Sequence, residues 1–582
     1  MVSRVQGRHA LKAGIDLRWE HLDAVQPPNP TGNFAFSTLF TNQGGATSSS
    51  TGSSLASFLL GQVNTFSIDL QSSTIRPRAH IAEFFLQDDW KATPRLTVNA
   101  GLRWTLNFPS TEAHDQGAVF NLATQQYQYL GKDGFSRSAR ELHYGNFGPR
   151  LGFSYLATPK MVVRSSYGLI FIEQTGITTP FTTPQFPFLQ TVQQATLDSI
   201  HPAFALSGGP SVAPIPLTAD AGLGQGVFTV NRKLGSGYVQ QWNLAVQHEL
   251  ARDLAIEIAY TGSVITRVGI PDTNLNQLTV AQLAQGSSLT ATTPNPYYGQ
   301  IPVSSSIGGR NVPVAQLMKP YPRFLTVSSF RKNTGRTNYN AAEVKLEKRT
   351  SYGLTAMLSY THSKLMDDAS SVFDSSILTG PVANYPVADS FNPSLERDAS
   401  LGDMPNVTVG SAVYAIPLGR GYRFGSAGVI SWFLGGWNVN GLITLESGMP
   451  FAITQATNFN AFAGFGTQRP MIHGPANLSA GKRTVAHYIN TDAFSITPQF
   501  QLGNASRDPA RGPAYRDLDL GLVKNTQFTE RLVLELRGEV FNVTNTPACA
   551  QPAATVGVAN FGSITATTSD PRVLQVAGKL RF

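Results

Sequence analysis

The chain closes on Arg572-Val-Leu-Gln-Val-Ala-Gly-Lys-Leu-Arg-Phe582. Leu574, Val576, Gly578, Leu580 and Phe582 fall on one side of an extended backbone, and Val573, Gln575, Ala577, Lys579 and Arg581 on the other. A period of two is the signature of a β-strand with two unlike faces. About 10 residues is also the length of a tilted strand that crosses a bilayer. If the segment is such a strand, the rest of the chain must supply many more.

Composition favours that reading over a string of soluble domains. Charged residues make up 14% of the 582, against about 25% in an average soluble protein, while mean hydropathy stays near zero. No run of about 18 apolar residues exists, which excludes a helical membrane protein. A transmembrane barrel halves its hydrophobic signal, because every second residue faces the lumen. The 53 Gly and 36 Pro suit many turns and long loops. The net charge of +8 is scattered without Lys/Arg runs, so no nucleic-acid surface is expected. One cysteine, Cys549, excludes an internal disulfide and a cysteine-based zinc site.

The same alternation recurs along the chain. Leu11, Ala13, Ile15, Leu17 and Trp19 oppose Lys12, Gly14, Asp16, Arg18 and Glu20. Leu96, Val98, Ala100, Leu102, Trp104 and Leu106 oppose Thr97, Asn99, Gly101, Arg103 and Thr105. Further strands are expected at 79–90, 147–156, 161–171, 238–250, 254–263, 339–349, 354–364, 407–416, 437–447, 517–528 and 532–542, about 14 in all. Short turns alternate with long loops; the join between 416 and 437 is longer and contains Gly419, Gly421 and Gly425. With short turns periplasmic and long loops extracellular, an even count places both termini at the periplasmic rim. Trp19, Trp90, Trp104, Trp242, Trp437, Tyr260 and Tyr360 sit near strand ends, where interfacial rings belong. Arg103, Arg150 and Arg164 fall on inward faces, where charge meets water rather than lipid. Met1 to Ala10 carries no apolar signal-peptide core.

Several segments resemble one family, the TonB-dependent transporters of the Oar-like, acidobacterial type. They are Phe84-Phe-Leu-Gln-Asp-Asp-Trp90, Pro94-Arg-Leu96, Gly101-Leu-Arg-Trp104, Asn146-Phe-Gly-Pro-Arg-Leu-Gly152 and Tyr260-Thr-Gly-Ser263. Pro320-Tyr-Pro322, Thr337-Asn-Tyr339, Glu347-Lys-Arg349, Tyr360-Thr-His-Ser-Lys364, Asp367-Asp368, Gly435-Gly-Trp437, Ser447-Gly-Met-Pro450 and Phe541-Asn-Val-Thr-Asn545 follow in family order. The resemblance implies that residues 1–582 are the C-terminal portion of an antiparallel barrel of about 22 strands. The signal peptide, the carboxypeptidase-regulatory-like module and the plug with its TonB box are expected to lie outside this sequence. It also implies outer-membrane lipid and lipopolysaccharide, the barrel-assembly machinery and the TonB system as partners. Leu574, Val576, Gly578, Leu580 and Phe582 would be the C-terminal assembly signal.

No enzyme signature is present: no G-x-S-x-G, no H-E-x-x-H and no Walker A. Gly222-Leu-Gly-Gln-Gly226 lacks a βαβ context. Asp88-Asp89 and Asp367-Asp368 are weak calcium candidates. The chain therefore reads as a non-enzyme without a cofactor. Stretches 41–54, 172–225 and 454–474, rich in Ser, Thr, Asn, Gly and aromatics, suit capture of a carbohydrate or peptide. The expected function is TonB-energised uptake of an unidentified substrate. A passive porin, a surface adhesin barrel and a soluble β-sandwich that binds carbohydrate are the alternatives.

Overall fold

The computed structural model describes residues 1–582 apart from 26, 28, 44–50, 72, 173–185, 197–200, 234, 331, 369–386, 420–423, 425–427, 467 and 530. Parts of the polar stretches 41–54 and 172–225, and Gly421 and Gly425, thus lie outside the described residues. One antiparallel path joins fifteen strands in chain order. The first eight are β1 (Val2–Gln6), β2 (His9–His21), β3 (Pro77–Thr93), β4 (Leu96–Glu112), β5 (Phe147–Thr158), β6 (Met161–Phe171), β7 (Tyr238–Ala251) and β8 (Leu254–Val268). The remainder are β9 (Gly335–Ser351), β10 (Leu354–Asp367), β11 (Asn406–Ala415), β12 (Trp437–Glu446), β13 (Tyr515–Gln527), β14 (Val533–Phe541) and β15 (Val573–Arg581). A short strand, Asp398–Ala399, attaches to the end of β10.

All the strands expected from alternation are present, and β1 is one more. It pairs with β2 from Val2↔Ala13 to Gln6↔His9. The chain therefore starts level with Gly14 and descends to the short-turn rim, which corrects the expectation of an even count with both termini at that rim. Val-Ser-Arg-Val-Gln is too short and too mixed to show a period by itself. Among the described residues β1 pairs only with β2, and β15 only with β14.

Connections after odd-numbered strands are short, the β11–β12 join of residues 416–436 excepted, and those after even-numbered strands are long. Between β9 and β10 the turn residues Tyr352 and Gly353 have φ of 50° and 80°, a left-handed pair whose twist matches the strands it joins. A Cβ on Gly353 would lie 2.6 Å from the Ala415 carbonyl oxygen, so glycine is required there. The β11–β12 join holds a short helix, α1 (Gly428–Leu434), that alternation did not anticipate.

Register gives the wall two consistent faces. Phe84 stands opposite Trp104 and Leu86 opposite Leu102, while Glu83 faces Thr105 and Phe85 faces Arg103. On the apolar face Leu151, Ile258, Leu358, Leu520, Leu536 and Leu574 are 41–74% exposed. So continuous an exposed apolar band needs a solvent other than water. The buried hydrophobic residues gather instead in the long connections. One cluster holds Phe451, Ile453, Ile489 and Phe494, another Phe120, Tyr127, Phe324 and Val327, and a third Leu278, Leu283, Leu289 and Phe465. The described parts of those connections are folded structure, and they supply a loop cap on one rim of a single sheet. A β-sandwich would need two sheets packed face to face.

Candidate functional site: the polar face and the loop rim

Alternation gathers polar and charged side chains on one face of each strand, and register then decides which charges meet. Glu83 of β3 is the clearest junction. Its carboxylate accepts from Arg18 (3.0 Å), Arg103 (2.8 Å) and Thr105 (3.0 Å) on the two flanking strands. The side chain is only 7% exposed, and a carboxylate offers enough lone pairs for all three donors. Six residues along the same strand, Asp89 accepts from Asn99 (2.6 Å), Lys12 (3.0 Å) and Gln87 (3.1 Å).

Arg103, Arg150 and Arg164 lie on this same polar face. Arg150 stands between Gly101 and Gly168, and its Cγ passes 3.9 Å from where a Cβ on Gly168 would be. Arg164 donates to Gln247 at 3.1 Å and approaches Glu257 at 3.7 Å. At the other end of the path Arg581 donates to Glu535 at 2.6 Å and ties β15 to β14. Leu574, Val576, Gly578 and Leu580 are in register with Val540, Gly538, Leu536 and Leu534. They continue the apolar face, and Phe582 after them is 97% exposed.

The loop rim carries a buried ionic cluster that sequence reading missed. Arg507 donates to Asp367 (2.5 Å), to Asp508 (2.7 Å) and to the Glu396 carbonyl (2.9 Å). All three charged side chains are at most 6% exposed. Burial pushes the Asp508 carboxyl up to about 6, against the pull of Arg507. Nearby, Arg469 pairs with Glu396 at 2.5 Å and Arg511 with Asp403. Asp367 and Arg507 are 140 positions apart, so no spacing rule could have joined them.

The two acidic pairs considered for calcium are engaged by protein donors. Asp88 meets His9 at 2.7 Å and Asp89 meets Lys12 at 3.0 Å. Asp367 takes Arg507, and Asp368 accepts from the Arg336 backbone N–H. Among the described residues no group of three or more His, Cys, Asp or Glu is placed to hold a metal ion. Among the described residues no helix is long and apolar enough to cross a membrane.

The family model for the outer membrane beta barrel domain matches residues 1–575. The chain belongs to that family. As a member it resides in the cell outer membrane, and the exposed apolar face of its wall meets lipid. Solved structures similar to this chain include FpvA of P. aeruginosa in a complex with a heterologous pyoverdine and iron, at 11% identity and a TM-score of 0.40, covering 99% of this chain and 46% of that one. The outer membrane transporter YddB from Escherichia coli is 8% identical with a TM-score of 0.46, covering 100% and 53%. The copper transporter OprC is 9% identical with a TM-score of 0.41, covering 100% and 55%. The chain thus spans about half the length of these proteins. No curated protein matches it.

Proposed function

We propose that this chain is the C-terminal wall and loop cap of a TonB-dependent outer-membrane transporter of the Oar-like type, completed by further strands and a plug. The observation that carries this is the two-faced wall. Arg103, Arg150, Arg164 and the Glu83 junction line one side, lipid covers the other, and folded long connections crown a single rim. The free edges of β1 and β15 support completion by additional strands, because barrels remove exposed edges. In this reading the polar face is the lumen, the long connections are extracellular, and the substrate is a carbohydrate or peptide taken first by those connections. The TonB system acts through the plug, and the barrel-assembly machinery receives the β15 face.

Uptake by cells carrying the full-length protein tests the reading. Accumulation of labelled oligosaccharides or peptides above the external concentration, abolished by deleting TonB, is the expected result. Equilibrative entry that survives deletion would make the wall a passive channel, and surface binding without entry an adhesin. Orientation is read separately. A Lys482→Cys thiol in the 447–514 connection is expected to react with an impermeant maleimide on intact cells.

A further inference from the structure

Three adjacent strands carry positive charge with nothing to balance it. In residues 96–111, 147–158 and 161–171, which make up nearly all of β4, β5 and β6, the only charged residues are Arg103, Arg150 and Arg164. Register sets the three in a column on the polar face. Arg103 is opposite Gly148, Arg150 is opposite Gly101 and Gly168, and Arg164 is opposite Ser154. The column spans about 20 Å, at about 3.3 Å per residue. Arg103 is nearest the long connections and Arg164 nearest the short turns.

Flanking strands hold the outer two. Arg103 donates to Glu83 at 2.8 Å. Arg164 donates to Gln247 at 3.1 Å and has Glu257 at 3.7 Å. Among the described residues Arg150, between them, has no carboxylate and no hydrogen-bond partner.

The wall beside Arg150 is also cleared. A Cβ on Gly168 would meet nothing nearer than the Arg150 Cγ at 3.9 Å, and one on Gly152 nothing nearer than 3.4 Å. Neither glycine has a left-handed φ, so the wall's own packing and backbone do not require glycine at either place. A strand glycine of that kind marks close approach by a ligand or another backbone.

The surroundings say what kind of ligand fits. From the level of Arg150 to that of Arg164, every other side chain that β4 to β7 present on this face is polar or no larger than alanine. Asn99, Ser154, Ser166, Gln241 and Asn243 are among them. Amide and hydroxyl groups both donate and accept, as sugar hydroxyls do, whereas an apolar peptide side chain finds no pocket here. A solvent-exposed guanidinium holds a carboxylate weakly, which suits a group that binds and moves on.

We infer that Arg150 is the contact for a carboxylate on the substrate, and that the substrate is an acidic oligosaccharide passing down the β4–β6 side of the lumen. The inference rests on the reading of the polar face as the lumen of a transporter, and it names the substrate class for that reading.

Arginine modification of purified full-length protein in detergent tests it. Phenylglyoxal adds to free guanidinium groups, and peptide mass spectrometry reports the rate at Arg150, with Arg103, held by Glu83, as the internal control. The probes are trigalacturonate, its uncharged counterpart trigalactose, triglutamate and acetate, the charged ones at equal carboxylate concentration. Trigalacturonate is expected to slow modification of Arg150 at least 5-fold, and the other three less than 2-fold. Gly168→Val, whose Cβ has room in the wall, is expected to remove most of that protection with the heat-modifiable folded band unchanged. Equal protection by trigalactose would remove the need for charge, and equal protection by triglutamate or acetate the need for a sugar; either overturns the inference. So would an Arg150 that no probe protects, or protection unchanged in Gly168→Val. An Arg150 unreactive before any probe is added would assign its guanidinium to the plug and overturn the inference equally. The assay contains no cells, so a failure of TonB-dependent accumulation would strike the transport reading and leave this result to judge the site.

Discussion

Arg507 donates from three nitrogens into the gap between β10 and the 447–514 connection, and its partners Asp367 and Asp508 are as buried as it is. Removing one member of a buried pair leaves a charge without compensation. Arg507→Met is therefore expected to lower stability by about 3–5 kcal/mol, measured as a lower denaturant midpoint and faster proteolysis of the cap. Asp508 adds a pH dependence. Its folded pKa of about 6 stands above the ordinary 3.8, so the folded form holds the proton more tightly than the unfolded form. Its contribution to stability is full below about pH 4 and declines as pH rises through about 6. Protection factors in 505–512, with the intrinsic pH dependence of exchange divided out, should rise between pH 7.5 and 4.5, and Asp508→Asn should flatten that change; lower protection in acid would contradict the sign. Arg103, Arg150 and Arg164 were legible on one face from alternation alone. Glu83 was not, because only register brings Arg18 and Arg103 to the same carboxylate.

At the level of elements, β15 and α1 mark what alternation can and cannot show. β15 follows a strict period over its whole length, and its outer face joins the apolar band with Val576 at 89% exposure. Phe582→Ala is expected to reduce the yield of heat-modifiable, outer-membrane-inserted protein several-fold; an unchanged yield would remove the assembly role. Helix α1 lacks such a signature and depends on contacts from other strands. Trp432 packs edge-on against Phe528 at 5.4 Å, and Trp437 donates to the Phe433 carbonyl at 2.9 Å. Lys524, on the lipid-facing side of β13, gives its ammonium to the carbonyls of Trp432, Phe433 and Gly435 at 2.7–3.1 Å. These end-of-helix carbonyls otherwise have no partner within the helix, and the aromatic side chains beside them suit the membrane interface. Lys524→Met is expected to cost about 1–3 kcal/mol, seen as a lower unfolding midpoint in detergent and a red shift in tryptophan emission.

For the whole molecule, the separation of a thin wall from packed connections predicts where a protease can act. Trypsin on intact cells should cut only within the connections that follow even-numbered strands, and cuts between odd-numbered strands and their successors should appear only after the outer membrane is opened. Cleavage in the opposite pattern would invert the orientation. The sequence by itself determined the wall: strand periods, two faces, alternating short and long joins, and the shared polar face of three arginines. Each of these is local, since side-chain direction in a strand follows from position parity. It did not reveal β1, whose five residues become a strand only by pairing with β2. Nor did it reveal the Arg507 cluster or the Glu83 junction. Those join residues tens to more than a hundred positions apart, and only the tertiary structure decides which of many possible charges share a carboxylate or a cavity.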